Sequence, residues 1–182
     1  MQKDNFFIFL TLTILVLSTS FSTEPSIVLP IKKISKSVKK IWKTEKFHLL
    51  ELETDNASIC HANGYFVKVL SLGKMLGYLY SGRVNSCRSG GCLAENSNQD
   101  LSFEYFDYYV LLDTNKRVVQ VKIYNYQATQ GHEVMSHGWL NQFKGLKKGE
   151  SIIVGKDIEA ISGATVSASS LAEDIQQILG CI

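Results

Sequence analysis

Residues 159–167 read Glu-Ala-Ile-Ser-Gly-Ala-Thr-Val-Ser, a string of types and spacing suited to holding an anion. Downstream, Leu171, Ile175, Ile178 and Leu179 recur at helical spacing and give one apolar face, so a helix is expected to start at this turn. The first N–H groups of a helix have no partner within it, and its dipole adds a partial positive charge at the same end. Gly163 and Ala164 let a ligand approach the backbone, and Thr165 adds a hydroxyl that a phosphate can esterify. Ser, Gly and Thr are also ordinary helix-start residues, and many such turns bind nothing. From the turn alone, both readings stand.

The elements that position this turn read as a mixed fold. Pro30 suits the first turn of a helix in which Ile31, Ile34, Val38, Ile41 and Trp42 form one stripe and lysines occupy the rest. That helix either rests on anionic lipid or an acidic redox partner, or packs its stripe on the domain. Strands are expected at residues 47–52, 65–71 and 75–80, with central strands within 101–123. Residues 81–100, rich in Gly, Ser and Asn, read as a long loop. Residues 132–145 read as a helix ended by Gly145, and residues 151–155 as a last short strand entering the turn. The expected class is α+β: a mostly antiparallel sheet with helices at the ends, and a strand–turn–helix phosphate site near the C-terminus.

At Ser162-Gly163-Ala164-Thr165 the chain resembles the FMN-binding domain family, which includes the covalent-FMN subunits of the Na+-translocating NADH:quinone reductase and of the Rnf electron-transport complex. The family motif reads Asp-x-x-Ser-Gly-Ala-Thr/Ser, and Glu159 stands at the Asp position. The hairpin 108–124 and the segment 139–145 are similar to family segments. Of the family's Glu-Thr-Pro-Gly loop this chain keeps Thr129 and Gly131, in Ala128-Thr129-Gln130-Gly131. The resemblance, spanning about residues 60–180, implies FMN joined to Thr165 through a phosphodiester, installed by a flavin transferase with FAD as donor. It also implies that Thr129, Gly131 and His132 border the flavin, and leaves Trp139 as either core or flavin cover. Such a module is an electron-transfer subunit rather than a stand-alone enzyme, with a redox protein or a membrane electron-transport complex as partner. The rival reading is a non-catalytic secreted binding module of the same fold with an empty or repurposed site.

Other chemistries find little support. His132 and His137 are five apart, not the i, i+4 pair of a helical zinc site. The serine-rich run 162–170 lacks a G-x-S-x-G elbow. The formal net charge is +2, and the seven lysines of residues 31–46 lack the arginines and interleaved aromatics of a nucleic-acid surface.

Residues 1–22, with Lys3, an apolar run from Phe6 to Val16 and then small polar residues, read as a signal peptide cleaved after Ser22; a retained membrane anchor is the alternative. Either way the domain is expected outside the cytoplasm, in the periplasm or on that face of the membrane. Residues 23–46 then form a linker and the basic helix, and residues 47–182 the FMN-binding domain. Four cysteines in an exported chain usually pair. Cys87 and Cys92 bracket a glycine-containing loop that a structural disulfide can close, leaving Cys60 and Cys181 to pair with each other or stay free. A redox-active Cys87/Cys92 pair is the alternative.

Overall fold

The computed structural model describes residues 26–52, 64–88 and 103–182. Five antiparallel strands follow one another in chain order across a single sheet: β1 His48–Glu51, β2 Gly64–Ser71, β3 Lys74–Arg88, β4 Phe103–Asp113 and β5 Val118–Tyr126. Leu72 and Gly73 turn β2 into β3 with both residues in the left-handed region, at φ 48° and 76°. A two-residue hairpin turn of that kind matches the twist of the strands it joins. Between β4 and β5, the Asp113 carboxylate accepts the N–H groups of Asn115 (2.8 Å) and Arg117 (2.9 Å), which fixes the turn locally.

β4 is buried on both faces. Phe106, Tyr108, Val110 and Leu112 point into one apolar cluster, Tyr109 and Leu111 into another. Each face therefore needs a cover. The C-terminal helix, Thr165–Cys181, buries Ala168, Leu171, Ala172, Ile175, Ile178 and Leu179 in the first cluster. The basic helix, Ile31–Trp42, lays Ile34 and Val38 on the second, where the Ser37 and Tyr109 hydroxyls are 2.8 Å apart and Lys33 Nζ donates to Tyr124 O at 3.2 Å. Its apolar stripe is thus spent on the sheet. The α+β reading holds, with one helix against each face.

Two polar networks pin the layers. On the C-terminal helix, buried Asp174 accepts a hydrogen bond from Tyr108, and Tyr80 interacts with the same pair. Burial, with the Asp174 carboxylate close by, pushes the Tyr108 and Tyr80 hydroxyls well above the usual tyrosine pKa. Toward the other helix, the Asp107 carboxylate accepts two bonds from Arg83 (2.7 and 3.0 Å) and one from Asn125 (2.7 Å), while the Arg83 guanidinium lies 3.8 Å from the centre of the Tyr105 ring.

Three sequence expectations change. β3 does not stop at Tyr80: residues 81–88 continue as strand, paired with β4 from Ser81↔Tyr109 to Arg88↔Phe103. The small residues that read as loop instead admit neighbours, since a Cβ at Gly82 would stand 2.5 Å from the Tyr80 ring. Residues 132–145 are not one helix. They form a 3-10 turn, His132–Met135, a single α turn, His137–Leu140, and a second 3-10 turn, Asn141–Phe143. Ser136, extended at ψ 134°, breaks the run, and Gly145 (φ 92°) ends it as expected. Residues 151–155 make no strand. The chain folds back on itself through Gly155 (φ 87°), leaving only a bridge between Val154 and Ile158. The Ile153 carbonyl accepts three N–H groups there, so the segment satisfies its own backbone and needs nothing from the sheet.

Tyr124 gives a pH test. Burial first of all raises its pKa to about 12 from an ordinary 10.0, against the lowering effect of its hydrogen bond with Ser81. A raised folded pKa means that its stabilisation is complete below pH 10 and is lost as the pH climbs toward about 12. Chemical denaturation across that window should show Tyr124→Phe losing stability less steeply than the unchanged protein. Parallel curves would rule Tyr124 out as a contributor.

Candidate functional site

Gly163 (φ 80°) turns the chain into the C-terminal helix, and Ala164 is the residue before its first turn. Ala164 carries no capping oxygen, and no side chain caps this helix start. The first-turn N–H groups and the dipole therefore face outward without a side-chain acceptor. Thr165 is the first helical residue and its side chain is exposed. A Cβ built at Gly163 would meet nothing within 4 Å, so the approach is open.

A cavity of about 200 Å³ opens at this helix start, lined by Cys87, Gln130, Gly131 and residues 163–167. Three parts of the chain converge there: the end of β3, the loop after β5 and the turn into the helix. One hydroxyl cluster ties them together. Ser167, in the first turn, lies 2.6 Å from the Ser86 hydroxyl and 3.3 Å from that of Tyr126, and Tyr126 donates to the Gln130 carbonyl at 2.6 Å. Gly131 is left-handed, at φ 82°, and a Cβ there would stand 2.9 Å from both the Ser167 and Tyr126 oxygens. Only glycine lets the loop pass this close.

Of the residues singled out from the sequence, Gly131, Gly163, Ala164 and Thr165 line the cavity. Ser162 is exposed in the turn just before it. Thr129 is held from the side, its N–H and hydroxyl both donating to the Glu104 carboxylate at 2.9 Å. His132 is exposed, with its ring centre 4.6 Å from that of Tyr126, which itself stacks on Phe106. Glu159 is exposed and fixed through its backbone: its carbonyl accepts Trp139 Nε1 at 2.7 Å and its N–H donates to Gln142 at 2.9 Å. Trp139 packs in the core. It is 5% exposed, edge-on to Phe143, and its indole N–H steadies the chain entering the motif. Gln130 and Ser167 fall within the segments that the sequence singles out, though with no role of their own. Ser86 and Tyr126 do not, Ser86 because its stretch reads as loop by composition and Tyr126 because it carries no spacing signal.

Cys87 and Cys181 are both disulfide-bonded, and there is no free cysteine among the described residues. They are not bonded to each other. Cys87 lies beside the helix start, whereas Cys181 is fourteen residues beyond Ser167, about 21 Å along the helix axis. A disulfide spans less than about 7 Å between Cα atoms. The expected Cys87–Cys92 bridge, and the Cys60 partner expected for Cys181, fall on residues that lie outside the described ones.

The fit to a flavin phosphate rests on the glycine cradle and the uncapped helix start. A volume of about 200 Å³ falls below the roughly 300–1,000 Å³ that encloses a whole drug-sized ligand. The cavity is thus sized for a phosphate and its nearest atoms, not for an isoalloxazine ring. In comparison with known proteins, residues 106–180 fit the family model described as FMN-binding domain. That span of 75 of the 182 residues takes in nearly all of β4, then β5, the Gly131 loop and the motif with its helix. No curated protein matches the chain.

Two measurements check this geometry. Gly131→Ala should cost about 1–3 kcal/mol, from the left-handed φ and the two close oxygens, and lower the melting temperature by several degrees. An unchanged melt would mean that the loop is not clasped as described. Peptide mapping without reduction should put Cys87 and Cys181 in different disulfides. A peptide joining the two would contradict the placement of the helix.

Proposed function

The chain carries, over residues 106–180, a domain of the FMN-binding family, and from that premise we propose that it holds FMN covalently on Thr165 and transfers electrons outside the cytoplasm. The observation that carries the proposal is the exposed Thr165 lining a cavity built on an uncapped helix start. The first-turn N–H groups offer donors to phosphate oxygens, and Gly163 and Gly131 keep side chains out of the way. Glu159, Trp139 and Gln142 hold the incoming chain so that the turn keeps its shape.

Attachment forms one bond and breaks another. The Thr165 oxygen becomes esterified to the FMN phosphorus of FAD, the bond from that phosphorus to the AMP half breaks, and the hydroxyl proton leaves with AMP. A flavin transferase is the partner that this step requires. Once bound, FMN accepts one or two electrons, so it can link a two-electron donor to one-electron acceptors. The residues around it anchor the phosphate and shield the ester. His132, exposed on Tyr126 and next to Gly131, is the side chain that would hydrogen-bond the ring. The electron partner is a redox protein or a membrane electron-transport complex. Export, with residues 1–22 as signal peptide, fits covalent attachment, because a secreted protein has no free FMN pool from which to refill its site.

Thr165→Val should abolish covalent flavin and leave the fold intact, whereas Thr165→Ser keeps an oxygen at the same position and retains part of the loading. Co-expression with a flavin transferase in an exporting host, followed by in-gel fluorescence and intact mass, reads both the adduct and the mature N-terminus expected at Thr23. A colourless wild-type protein, or flavin mapped to another residue, would remove Thr165 as the attachment point. Flavin that binds but is lost on denaturation would keep the phosphate site and discard the ester.

A further inference from the structure

The hydroxyls of Ser86, Ser167 and Tyr126 meet at the start of the C-terminal helix, and counting their protons fixes the direction of each bond. Tyr126 has one hydroxyl proton and donates it to the Gln130 carbonyl at 2.6 Å. Toward Ser167, 3.3 Å away, the Tyr126 oxygen can therefore only accept, so the Ser167 hydroxyl is the donor. With the Ser167 proton committed there, the 2.6 Å contact with Ser86 requires Ser86 to donate to the Ser167 oxygen. The protons thus run one way, from Ser86 through Ser167 and Tyr126 to the Gln130 carbonyl. Ser86 and Ser167 are each 2% exposed, so solvent has little access to either.

The two bonds of Ser167 are unequal. Its oxygen is held at 2.6 Å by Ser86, whereas its proton reaches Tyr126 over 3.3 Å. That exceeds the roughly 2.5–3.0 Å of an ordinary O–H···O bond. The oxygen is fixed and the proton is loosely placed, free to swing about the Cβ–Oγ bond to a better acceptor. An anionic phosphate oxygen is such an acceptor, since hydrogen bonds to a charged group are shorter and roughly twice as strong. The position suits it too. Ser167 lines the cavity with Thr165 and belongs to the first turn of the helix. The Ala168 N–H bonds the Ala164 carbonyl and begins the helical ladder, so the N–H groups of residues 165–167 precede it. The Ser167 hydroxyl therefore shares a turn with the donors that face an anion. Gly131 opposite brings no side chain against it: a Cβ there would lie 2.9 Å from the Ser167 oxygen.

We propose that Ser167 is a ligand of the flavin phosphate, its proton turning from Tyr126 to a phosphate oxygen while Ser86 keeps its oxygen in place. The proposal rests on FMN being held at Thr165. Thr165 then supplies the ester and Ser167 a donor from the same turn, so a side chain as well as the backbone grips the phosphate. When the proton turns, Tyr126 keeps its bond to Gln130, and the loop stays where it is.

Thermal melts of the full chain, co-expressed with or without a flavin transferase, test this. The quantity read is the rise in melting temperature on loading. Ser167→Ala lacks the bond to phosphate, so its rise should be about 4–8 °C smaller than that of the unchanged protein. Tyr126→Phe removes the competing acceptor and costs the unloaded protein more than the loaded one, so its rise should be about 1–3 °C larger. A serine that merely ties the helix to the sheet costs both forms alike and gives equal rises. The phosphorus NMR resonance of the adduct should shift in Ser167→Ala and stay in place in Tyr126→Phe. Equal rises in all three proteins, or an unmoved phosphorus resonance in Ser167→Ala, would overturn the role of Ser167. If Ser167→Ala does not fold, Tyr126→Phe decides alone: a larger rise supports the role, and an equal or smaller one overturns it. An unchanged protein that takes no flavin on Thr165 refutes the premise, and the role with it. Loading on Thr165 without these differences refutes Ser167 alone.

Discussion

A strand with no solvent-facing side governs this architecture. β4 is buried from Phe106 to Leu112, and its apolar side chains there alternate between two clusters. A sheet built around such a strand is stable only if both faces are covered, and the chain supplies one long helix for each. At roughly 1.5–3 kcal/mol for each large side chain taken out of water, the buried aromatic and aliphatic residues of β4 alone outweigh any single polar contact in the molecule. The tyrosine hydroxyls along it then fix registers. Tyr108 bonds Asp174 on the C-terminal helix and Tyr109 reaches Ser37 on the basic helix, so neighbouring residues of one strand lock opposite layers.

The cavity follows from that placement. Fixing Asp174 against β4 sets where the C-terminal helix begins, and the helix start meets the far end of β3 through Ser86 and Ser167. The loop after β5 is drawn in by Tyr126 and admitted by Gly131. An uncapped helix start offers backbone N–H groups rather than a charged side chain, so what it can hold depends on keeping the backbone still. The supporting contacts serve that end: Trp139 and Gln142 upon Glu159, and Glu104 upon Thr129. The Glu104 carboxylate reaches that loop from β4 and takes the Thr129 hydroxyl.

The two helices give the sheet unlike sides. One helix presents its N-terminus, with the partial positive charge of a dipole, beside a cavity; the other presents lysines over its whole outward arc. Because the sheet lies between them, the features are separated by the thickness of the domain.

Local signals in the sequence were enough for the turn at Ser162–Thr165, the helix that follows it, the lysine-rich helix starting at Pro30 and the hairpin through Asp113. In each case the evidence lies within a few residues: a capping pattern, an apolar period or a turn-forming side chain. The β3 extension was not legible, because Ser81, Gly82 and Ser86 are strand residues only by virtue of what packs over them, the Tyr80 ring and Ser167. Nor was Trp139, whose indole has one environment in sequence and another once Glu159 is folded against it. The clasp of Ser86, Tyr126, Gln130 and Ser167 spans 81 residues from end to end. The sequence by itself determined the turn before the C-terminal helix and the hydroxyl at its start, since helix termini are written in adjacent residues. Only the tertiary structure decided which distant side chains close the cavity around that turn, because contacts across a sheet depend on strand register, and register is a property of the whole fold.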